Sequence, residues 1–317
     1  MSTFLKPRHS LLALLIAAAL PVSAQQATDG TVTPDIAGVT SAGNAIELLA
    51  SERDGSEGPL ALPDGSLLYT EARVQRIVRI GTDQQLNTFL ENTGGANALA
   101  AAEDGSLVAV LQTPPAVGIV YPEAQKKILA DGFEGKPFTR PNDITRGRNG
   151  DVFFTDSAQN ATPESGGPAV YRINAAGDIQ RIIDDIERPN GITLSKDERT
   201  LFVANTLGQH VLAYELHADG SIGAQREFAA LAGWNAAEKT SGADGLAVDD
   251  EGRLYVTSNA GVEVFDTTGA ALGVIALPVK PQNIAFAGAD KSWLYVVGRG
   301  AAYRLPVLTP GLSTRAK

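Results

Sequence analysis

A short pattern recurs six times along this chain, and this repeat constrains the fold more than any other feature of the sequence. Each copy has a tight turn, often Asp-Gly, followed by a run of β-branched and aromatic residues, a pattern typical of β-hairpins. The copies are PDGSLLYT from Pro63, EDGSLVAV from Glu103, RNGDVFFT from Arg148, KDERTLFVA from Lys196, DEGRLYVT from Asp250 and ADKSWLYVV from Ala289. The copies recur at intervals of about 40 to 50 residues, which leaves room for about four strands per unit. Self-similarity at this period indicates a propeller. We therefore predict an all-β fold, a six-bladed β-propeller.

A polar residue precedes each copy at a constant distance. The first turn residues are Asp64, Asp104, Asn149, Asp197, Glu251 and Asp290, so the spacings are 40, 45, 48, 54 and 39 residues. The residues seven positions before these turns are all acids or amides: Glu57, Asn97, Asn142, Asn190, Asp244 and Asn283. The first strand of a propeller blade lines the central channel. Pseudo-sixfold symmetry should therefore bring the six side chains together around the axis, as an axial ring.

The chemistry of this ring suits a hard metal ion. It offers side-chain oxygens and two carboxylates but no His or Cys, which favours Ca²⁺, with Mg²⁺ and Mn²⁺ as alternatives and zinc disfavoured. Asn and Asp also stabilise turns through their own backbone hydrogen bonds, and that alternative explains any one position well. Agreement at six positions, one of them a glutamate, favours the metal.

The N-terminus has the organisation of a secretory signal peptide. Residues 1–24 contain a basic start with Lys6 and Arg8, an apolar run of about ten residues and a small-residue cleavage site ending at Ala24. The apolar run is too short to span a bilayer, which needs about 20 residues. We expect an exported protein, periplasmic or extracellular. The domains are then a signal peptide (1–24), a loose N-terminal leader (25–40) and a single propeller domain (41–317).

The composition and charge of the chain indicate which classes of binding partner to expect. The chain has 317 residues, 44% of them hydrophobic and 20% charged, which is enough apolar material for a globular core. Its formal charge is −10 and it has no basic run, so it lacks the electrostatic footprint of a nucleic-acid-binding protein. It contains no cysteine and therefore no disulfide. We expect a small-molecule partner, no nucleic acid and no membrane contact after signal cleavage, and the oligomeric state is left open.

Four segments of the chain resemble the SMP-30/gluconolactonase/LRE family of calcium-dependent propeller lactonases. They are SEGPLALPDGSLLYT, RPNDITRGRNGDVFFTD, RPNGITLSKDERTLFVANT and GADGLAVDDEGRLYVTSNAGVEVFD. They occur in the order and at the spacing of the family, so the resemblance covers nearly all of residues 50–305. The resemblance implies metal ligands at Glu57, Asn142, Asn190 and Asp244. It also implies that Asn142 and Arg140 hold substrate. Asn97 and Asn283 complete the ring as its lower-ranked members, expected to reach an ion through water.

The same resemblance implies the activity, the hydrolysis of a small-molecule lactone, above all a sugar lactone. A Ca²⁺ ion on the axis would stabilise the oxyanion formed when water attacks the ester carbonyl. Asp244 is the first candidate for the catalytic base. Asp143 is the second, although β-alternation should point it away from the channel. Two alternatives stay open: phosphotriester or other ester hydrolysis at the same site, and a non-catalytic ligand-binding propeller with a structural metal.

Overall fold

The fold is described from a computed structural model. It describes Met1, residues 31–159 and residues 161–315. The predicted signal peptide and the first residues of the predicted leader lie outside the described residues, Met1 apart. The described part of the chain contains 26 β-strands and no α-helix, only two 3₁₀ turns at Ala72–Val74 and Glu123–Gln125. No helix in these residues is long and apolar enough to cross a membrane.

Six four-stranded antiparallel sheets are arranged as blades, and strands are numbered in chain order, beginning with β1 at Glu47–Ala50. The first blade has β2 to β5: Glu57–Ala61, Leu67–Glu71, Arg76–Ile80 and Leu86–Glu91. The second has β6 to β9: Ala96–Ala101, Leu107–Gln112, Pro115–Tyr121 and Lys127–Ala130. A small hairpin follows, β10 and β11: Gly132–Phe133 and Lys136–Pro137. The third blade has β12 to β15: Pro141–Arg146, Val152–Asp156, Ala169–Ile173 and Ile179–Ile183.

The remaining blades follow the same order from the axis outward. The fourth has β16 to β19: Pro189–Leu194, Thr200–Asn205, His210–Leu216 and Ile222–Ala230. The fifth has β20 to β23: Leu246–Val248, Leu254–Ser258, Gly261–Phe265 and Ala271–Ile275. The sixth has β24 to β26: Asn283–Ala287, Trp293–Gly298 and Ala301–Pro306. All six predicted turns lie between the first and second strands of a blade, so the predicted six-bladed propeller is confirmed.

The circle of blades is closed by the N-terminal part of the chain. Strand β1 pairs antiparallel with β26 and supplies the fourth strand of the sixth blade. The Ser56 hydroxyl donates to the Ala301 carbonyl at 2.9 Å beside this junction. Because the last blade is completed by the first strand, unfolding either end opens the ring.

Residues 31–40, the described part of the predicted leader, are packed against the propeller rather than loose. Ile36 and Val39 are buried in an apolar cluster with residues of the fifth and sixth blades. The Val39 carbonyl accepts the Leu308 N–H at 2.9 Å. Two apolar side chains in an otherwise small and polar stretch were too weak a pattern to reveal this packing.

The core lies between the blades. Each innermost strand packs against the innermost strand of the next blade, in the closed order β2, β6, β12, β16, β20, β24 and back to β2. Most of these strands are apolar on both faces, since both faces are covered by neighbouring blades. Tyr255 and Phe286, for example, meet edge to face across the fifth and sixth blades with ring centroids 5.1 Å apart. This packing fixes the innermost strands and the residues at their ends.

Candidate functional site

The six residues of the axial ring all lie at the same end of the innermost strands. Glu57 and Asn283 begin β2 and β24, the other three asparagines are second in their strands, and Asp244 precedes β20 by two residues. A Cβ on Gly58 would lie 2.4 Å from the Asn97 carbonyl oxygen, and one on Gly191 would lie 2.0 Å from that of Asp244. Adjacent ring positions are therefore in direct backbone contact. The convergence predicted from the seven-residue offset agrees with this geometry.

Glu57 is fixed by the last blade. Its Oε1 accepts a hydrogen bond from Gln282 Nε2 at 3.0 Å, and its Oε2 accepts one from Asn283 Nδ2 at 3.2 Å. Both contacts cross the seam between the first and sixth blades. Together with the Gly58 N–H, which donates to Oε2 at 3.2 Å, they hold the carboxylate in place.

Asn190 presents an amide oxygen that the protein does not use. Its Nδ2 donates to Thr206 Oγ1 at 2.9 Å, which fixes the orientation of the amide. The opposite atom, Oδ1, is buried, and no donor among the described residues reaches it. A buried acceptor without a partner costs about 1–3 kcal/mol. This atom therefore indicates a ligand that the described protein atoms do not supply.

Asn97 and Asn283 have a different role. The Asn97 Nδ2 donates to the Asn142 carbonyl at 2.8 Å, so this amide joins the second and third blades. Asn283 directs its Nδ2 at Glu57, and its Oδ1 accepts the Ile284 N–H at 2.9 Å. Both side chains connect neighbouring blades, and the amide oxygen of Asn283 is already engaged. The Asn283 amide oxygen therefore has a protein partner, whereas that of Asn190 has none among the described residues.

In alternate blades, a threonine on the second strand donates a hydrogen bond to a backbone carbonyl at or next to a ring position of the following blade. Thr70 Oγ1 donates to the Asn97 carbonyl at 2.8 Å, and Thr155 Oγ1 donates to the Asn190 carbonyl at 2.6 Å. Thr257 Oγ1 donates to the Gln282 carbonyl at 2.8 Å, one residue before the ring position Asn283. These threonines lie six residues after the turns of the first, third and fifth copies. The pattern is visible in LLYT, VFFT and LYVT, and FFTD predicts that Thr155 stabilises the repeat, as its bond to the next blade shows.

Arg140 lies at the rim of the ring, directly before β12. Its N–H donates to Asp156 Oδ1 and the Thr139 N–H donates to Asp156 Oδ2, both at 2.8 Å. Burial raises the pKa of Asp156, and the backbone N–H groups of Thr139, Arg140 and Ala158 oppose that rise. The backbone of Arg140 is therefore firmly held. Its Nε is buried with no acceptor among the described residues, so the guanidinium has bonding capacity left over for a ligand.

A lysine and a glutamine near the ring were not identified as candidate site residues from the sequence. Lys280 is half-buried and donates to Asn259 Oδ1 at 2.6 Å. Burial lowers its pKa, with the positive charge of Arg299 adding to the effect and the negative charge of Asp244 opposing it. Gln282 contacts Glu57, as described above. The Lys-Pro-Gln-Asn run at 280–283 resembles the two Arg-Pro-Asn runs at 140–142 and 188–190, and this likeness is the signal that could have found them.

Asp143, the second candidate base, is fully buried and bonded to the backbone. Its Oδ1 accepts the Ile144 N–H at 2.9 Å and its Oδ2 accepts the Ile192 N–H at 3.2 Å. The second of these bonds joins the third blade to the fourth. Asp244 has a more suitable place, in the ring itself, with its N–H bonded to the Thr257 carbonyl at 3.0 Å.

The donor set fits a hard divalent cation. Glu57 and Asp244 supply two carboxylates, Asn142 and Asn190 supply neutral amide oxygens, and the buried Asn190 Oδ1 needs a partner. In the described part of the chain no three His, Cys, Asp or Glu side chains come together, so such an ion would take amide or water oxygens as well. Oxygen ligands with limited charge are typical of Ca²⁺ and Mg²⁺ sites.

Known proteins show the same architecture. A gluconolactonase of Zymomonas mobilis is 26% identical over 321 residues, covering 90% of this chain and 88% of the relative. The solved structure of a gluconolactonase from Xanthomonas campestris superposes with a TM-score of 0.78 at 26% identity, covering 92% of this chain and 99% of that one. A calcium-binding regucalcin from Agrobacterium tumefaciens has a TM-score of 0.68 at 19% identity, covering 87% and 96%, and shows the shared fold. The sequence model of the SMP-30/gluconolactonase/LRE-like region matches residues 55–299, more than half of the chain, so this protein belongs to that family.

Proposed function

We propose that this chain is a calcium-dependent lactonase that opens a small-molecule lactone, above all a sugar lactone, at the ring formed by Glu57, Asn142, Asn190 and Asp244. The observation that carries the proposal is the buried Asn190 Oδ1, which no donor of the described chain reaches although its amide is fixed. A cation would satisfy this oxygen, and the two ring carboxylates would bring negative charge to it. The gluconolactonases to which the chain is similar over most of its length support the choice of substrate.

The choice of calcium comes from the ring chemistry. The four side chains offer oxygen only, two of them charged, and they come from four separate blades. Ca²⁺ accepts six to eight oxygen ligands in flexible geometry, whereas Mg²⁺ demands a nearly ideal octahedron. When bound, the cation would supply Lewis-acid stabilisation of the negative charge that develops on the carbonyl oxygen of the lactone.

The chain itself supplies positioning and proton transfer. Asp244 is proposed as the base that takes a proton from the attacking water and returns it to the ring oxygen of the lactone as the ester bond breaks. Arg140, held at the rim with an unused Nε, is proposed to bind substrate hydroxyl groups together with Asn142. The product is a hydroxy acid, released as its carboxylate.

The experiment is a panel of substrates with the mature protein, its Asp244→Asn variant and a matched ring-remote variant, Asp178→Asn, at an exposed turn. Acid release from aldonolactones and hydrolysis of a phosphotriester are followed with Ca²⁺ and after chelation. Metal-dependent turnover of aldonolactones, lost by about 100-fold or more in Asp244→Asn but kept in Asp178→Asn, supports the proposal. Turnover of the phosphotriester alone would replace lactone by phosphotriester as the substrate.

A different outcome would favour a binding protein. If no ester is hydrolysed but Ca²⁺ raises the thermal stability of the wild type, the metal is structural and the lactonase proposal fails. If neither activity nor stability responds to chelation, the proposal of an axial metal ion fails as well.

We further propose that the protein is exported, on the signal-peptide pattern of residues 1–24. The full-length chain is expressed in a bacterial host, and the cellular fraction and N-terminus of the product are determined. Mature protein beginning at Gln25 in the periplasm or medium supports export. Uncleaved protein confined to the cytoplasm contradicts it.

A further inference from the structure

A second cavity lies at the opposite mouth of the propeller from the ring. It has a volume of about 340 Å³ and is lined by the far ends of the innermost strands of the first three blades, by Lys291, and by the tail residues Ser313 to Arg315. Leu62 is five residues beyond Glu57, so the cavity lies roughly 15 Å from the ring at about 3.3 Å per residue. It is therefore separate from the proposed catalytic site.

This cavity is rich in positive charge. Four cations line it, and the one carboxylate among the lining residues, Glu103, is exposed. The four cations are Arg146, Arg148, Lys291 and Arg315. Outside the lining, the negative charges of Glu198 and Asp197 act on Arg315 and offset part of this positive charge.

One carboxylate serves two of the arginines. Glu198 Oε1 lies 3.2 Å from Arg148 Nε and 3.5 Å from Arg315 Nη2. Among the described residues, neither Arg146 nor Lys291 forms an ion pair. The positive excess is therefore concentrated on these two side chains, on opposite walls of the cavity.

The tail arginine is built into the wall. The Arg315 side chain is only 7% exposed, and its two terminal nitrogens donate to the carbonyls of Leu194 and Ser195. Its Nε is buried and has no acceptor among the described residues. Burial lowers the pKa of the neighbouring Lys291 to about 8, and the charge of Arg315 contributes to that shift. An anion bound beside these two cations would offset the cost of their burial.

We propose that this cavity binds a small organic phosphate monoester, through Lys291, Arg146 and Arg315. Lys291 and Arg146, which form no ion pair among the described residues, together match the charge of a phosphate monoester, −1.5 to −2 at neutral pH. Guanidinium groups pair with phosphate oxygens through several parallel hydrogen bonds. The apolar lining residues that are not buried in the core, Leu62, Pro63, Ala101 and Ala102, face the rest of the ligand. The volume falls in the range of small-molecule pockets, about 300–1,000 Å³.

The test is isothermal titration of the mature, metal-free protein with phenyl phosphate, with inorganic phosphate and benzyl alcohol as parallel probes. We expect one phenyl phosphate per chain, weaker binding of inorganic phosphate because it lacks the apolar part, and no binding of benzyl alcohol. Lys291→Met and Arg146→Gln should each weaken phenyl phosphate binding by tenfold or more. Lys127→Met, at an exposed lysine of the outer strand β9, is the matched control and should bind as wild type does.

A further variant separates the two sites. Glu57→Gln should leave phenyl phosphate binding unchanged, because the ring lies at the other mouth, so failure of the lactonase proposal does not affect this one. Absence of binding at millimolar phenyl phosphate would overturn the proposal. Equal affinities in the wild type, Lys291→Met and Arg146→Gln would overturn it as well, since the anion would then be bound elsewhere.

Discussion

Asn190 and Thr206 are joined by a hydrogen bond of 2.9 Å that determines which end of the Asn190 amide is left for a ligand. The threonine hydroxyl accepts from Nδ2 and donates to the Ala243 carbonyl at 2.8 Å. The Asn190 carbonyl is held in turn by Thr155. Contacts from two blades, the fourth and the third, thus fix the side chain and the backbone of Asn190 and with them the position of its amide oxygen. Such supporting contacts are as important to a metal site as the ligands themselves.

Replacing Thr206 with valine should loosen the Asn190 amide while keeping the shape of the side chain. We expect Ca²⁺ affinity to fall by about 10- to 100-fold, the usual effect of removing a supporting contact at a metal site. Thr206→Ser, which keeps the hydroxyl, should bind nearly as the wild type does. Isothermal titration with Ca²⁺ measures both, and equal losses in the two variants would show that the hydroxyl has no part in the site.

Gly191→Ala should separate the fourth and fifth blades at the ring. An added Cβ would lie 2.0 Å from the Asp244 carbonyl oxygen, a backbone atom that cannot move alone. Such overpacking costs about 1–3 kcal/mol, and here it should also weaken metal binding. Gly167→Ala is the control, because no atom lies within 4 Å of its Cβ. Chemical denaturation measures the loss, and wild-type stability in Gly191→Ala would disprove the close contact.

Arg140→Gln tests whether the guanidinium binds substrate. Its backbone contacts with Asp156 do not depend on the side chain, so the rim should keep its shape. We expect KM for the lactone to rise about tenfold or more, because a charge-assisted hydrogen bond contributes about 1.5–3 kcal/mol. The affinity for Ca²⁺ should be unchanged. A loss of Ca²⁺ affinity with an unaltered KM would instead assign Arg140 to the support of the ring.

Because of Lys291, the free energy of unfolding should change with pH in the alkaline range. The unfolded chain holds this proton up to the ordinary pKa of 10.5, whereas the folded chain releases it near pH 8. Between these values the unfolded state binds more protons, so the free energy of unfolding contributed by this group rises with pH. Below pH 8 both states are protonated, and the folded state carries the full cost of a buried charge.

Lys291→Met should therefore be more stable than the wild type at pH 7, by roughly 2 kcal/mol in phosphate-free buffer. The difference should shrink as the pH rises from 8 and disappear near pH 10.5. Denaturant unfolding at a series of pH values measures it. A difference that does not change with pH would mean that the lysine is solvated in the folded protein.

Much of the architecture could be predicted because it follows from local sequence. The Asp-Gly turns and the short apolar runs after them determine each hairpin, and their number determines the number of blades. Pseudo-symmetry then turns a constant offset into a shared position in space, which is why Glu57, Asn190 and Asp244 could be named together. The packing of Ile36 and Val39 could not be predicted, since two apolar residues carry no periodicity.

The distinction within the ring also required the structure. Asn283 and Asn190 occupy the same register, yet the amide of Asn283 turns toward Glu57 because the first and last blades meet there. Gln282 acts through a contact between blades and Thr206 through a contact within the fourth blade, and no sequence spacing encodes either of them. The second cavity depends on Arg315, which reaches Leu194 across more than a hundred residues. Long-range contacts of this kind are visible only in the folded chain.

The decisive measurement is a Ca²⁺ titration of chelated mature protein in which metal binding and acid release from an aldonolactone are followed together. We predict one strong Ca²⁺ site per chain, with lactone hydrolysis restored in proportion to its occupancy. Glu57→Gln should lose both by about 100-fold or more, because it removes one of the two ring charges and leaves its neighbours in place. Full hydrolysis by the chelated protein, or wild-type binding and turnover in Glu57→Gln, would contradict the proposed metal-dependent lactonase.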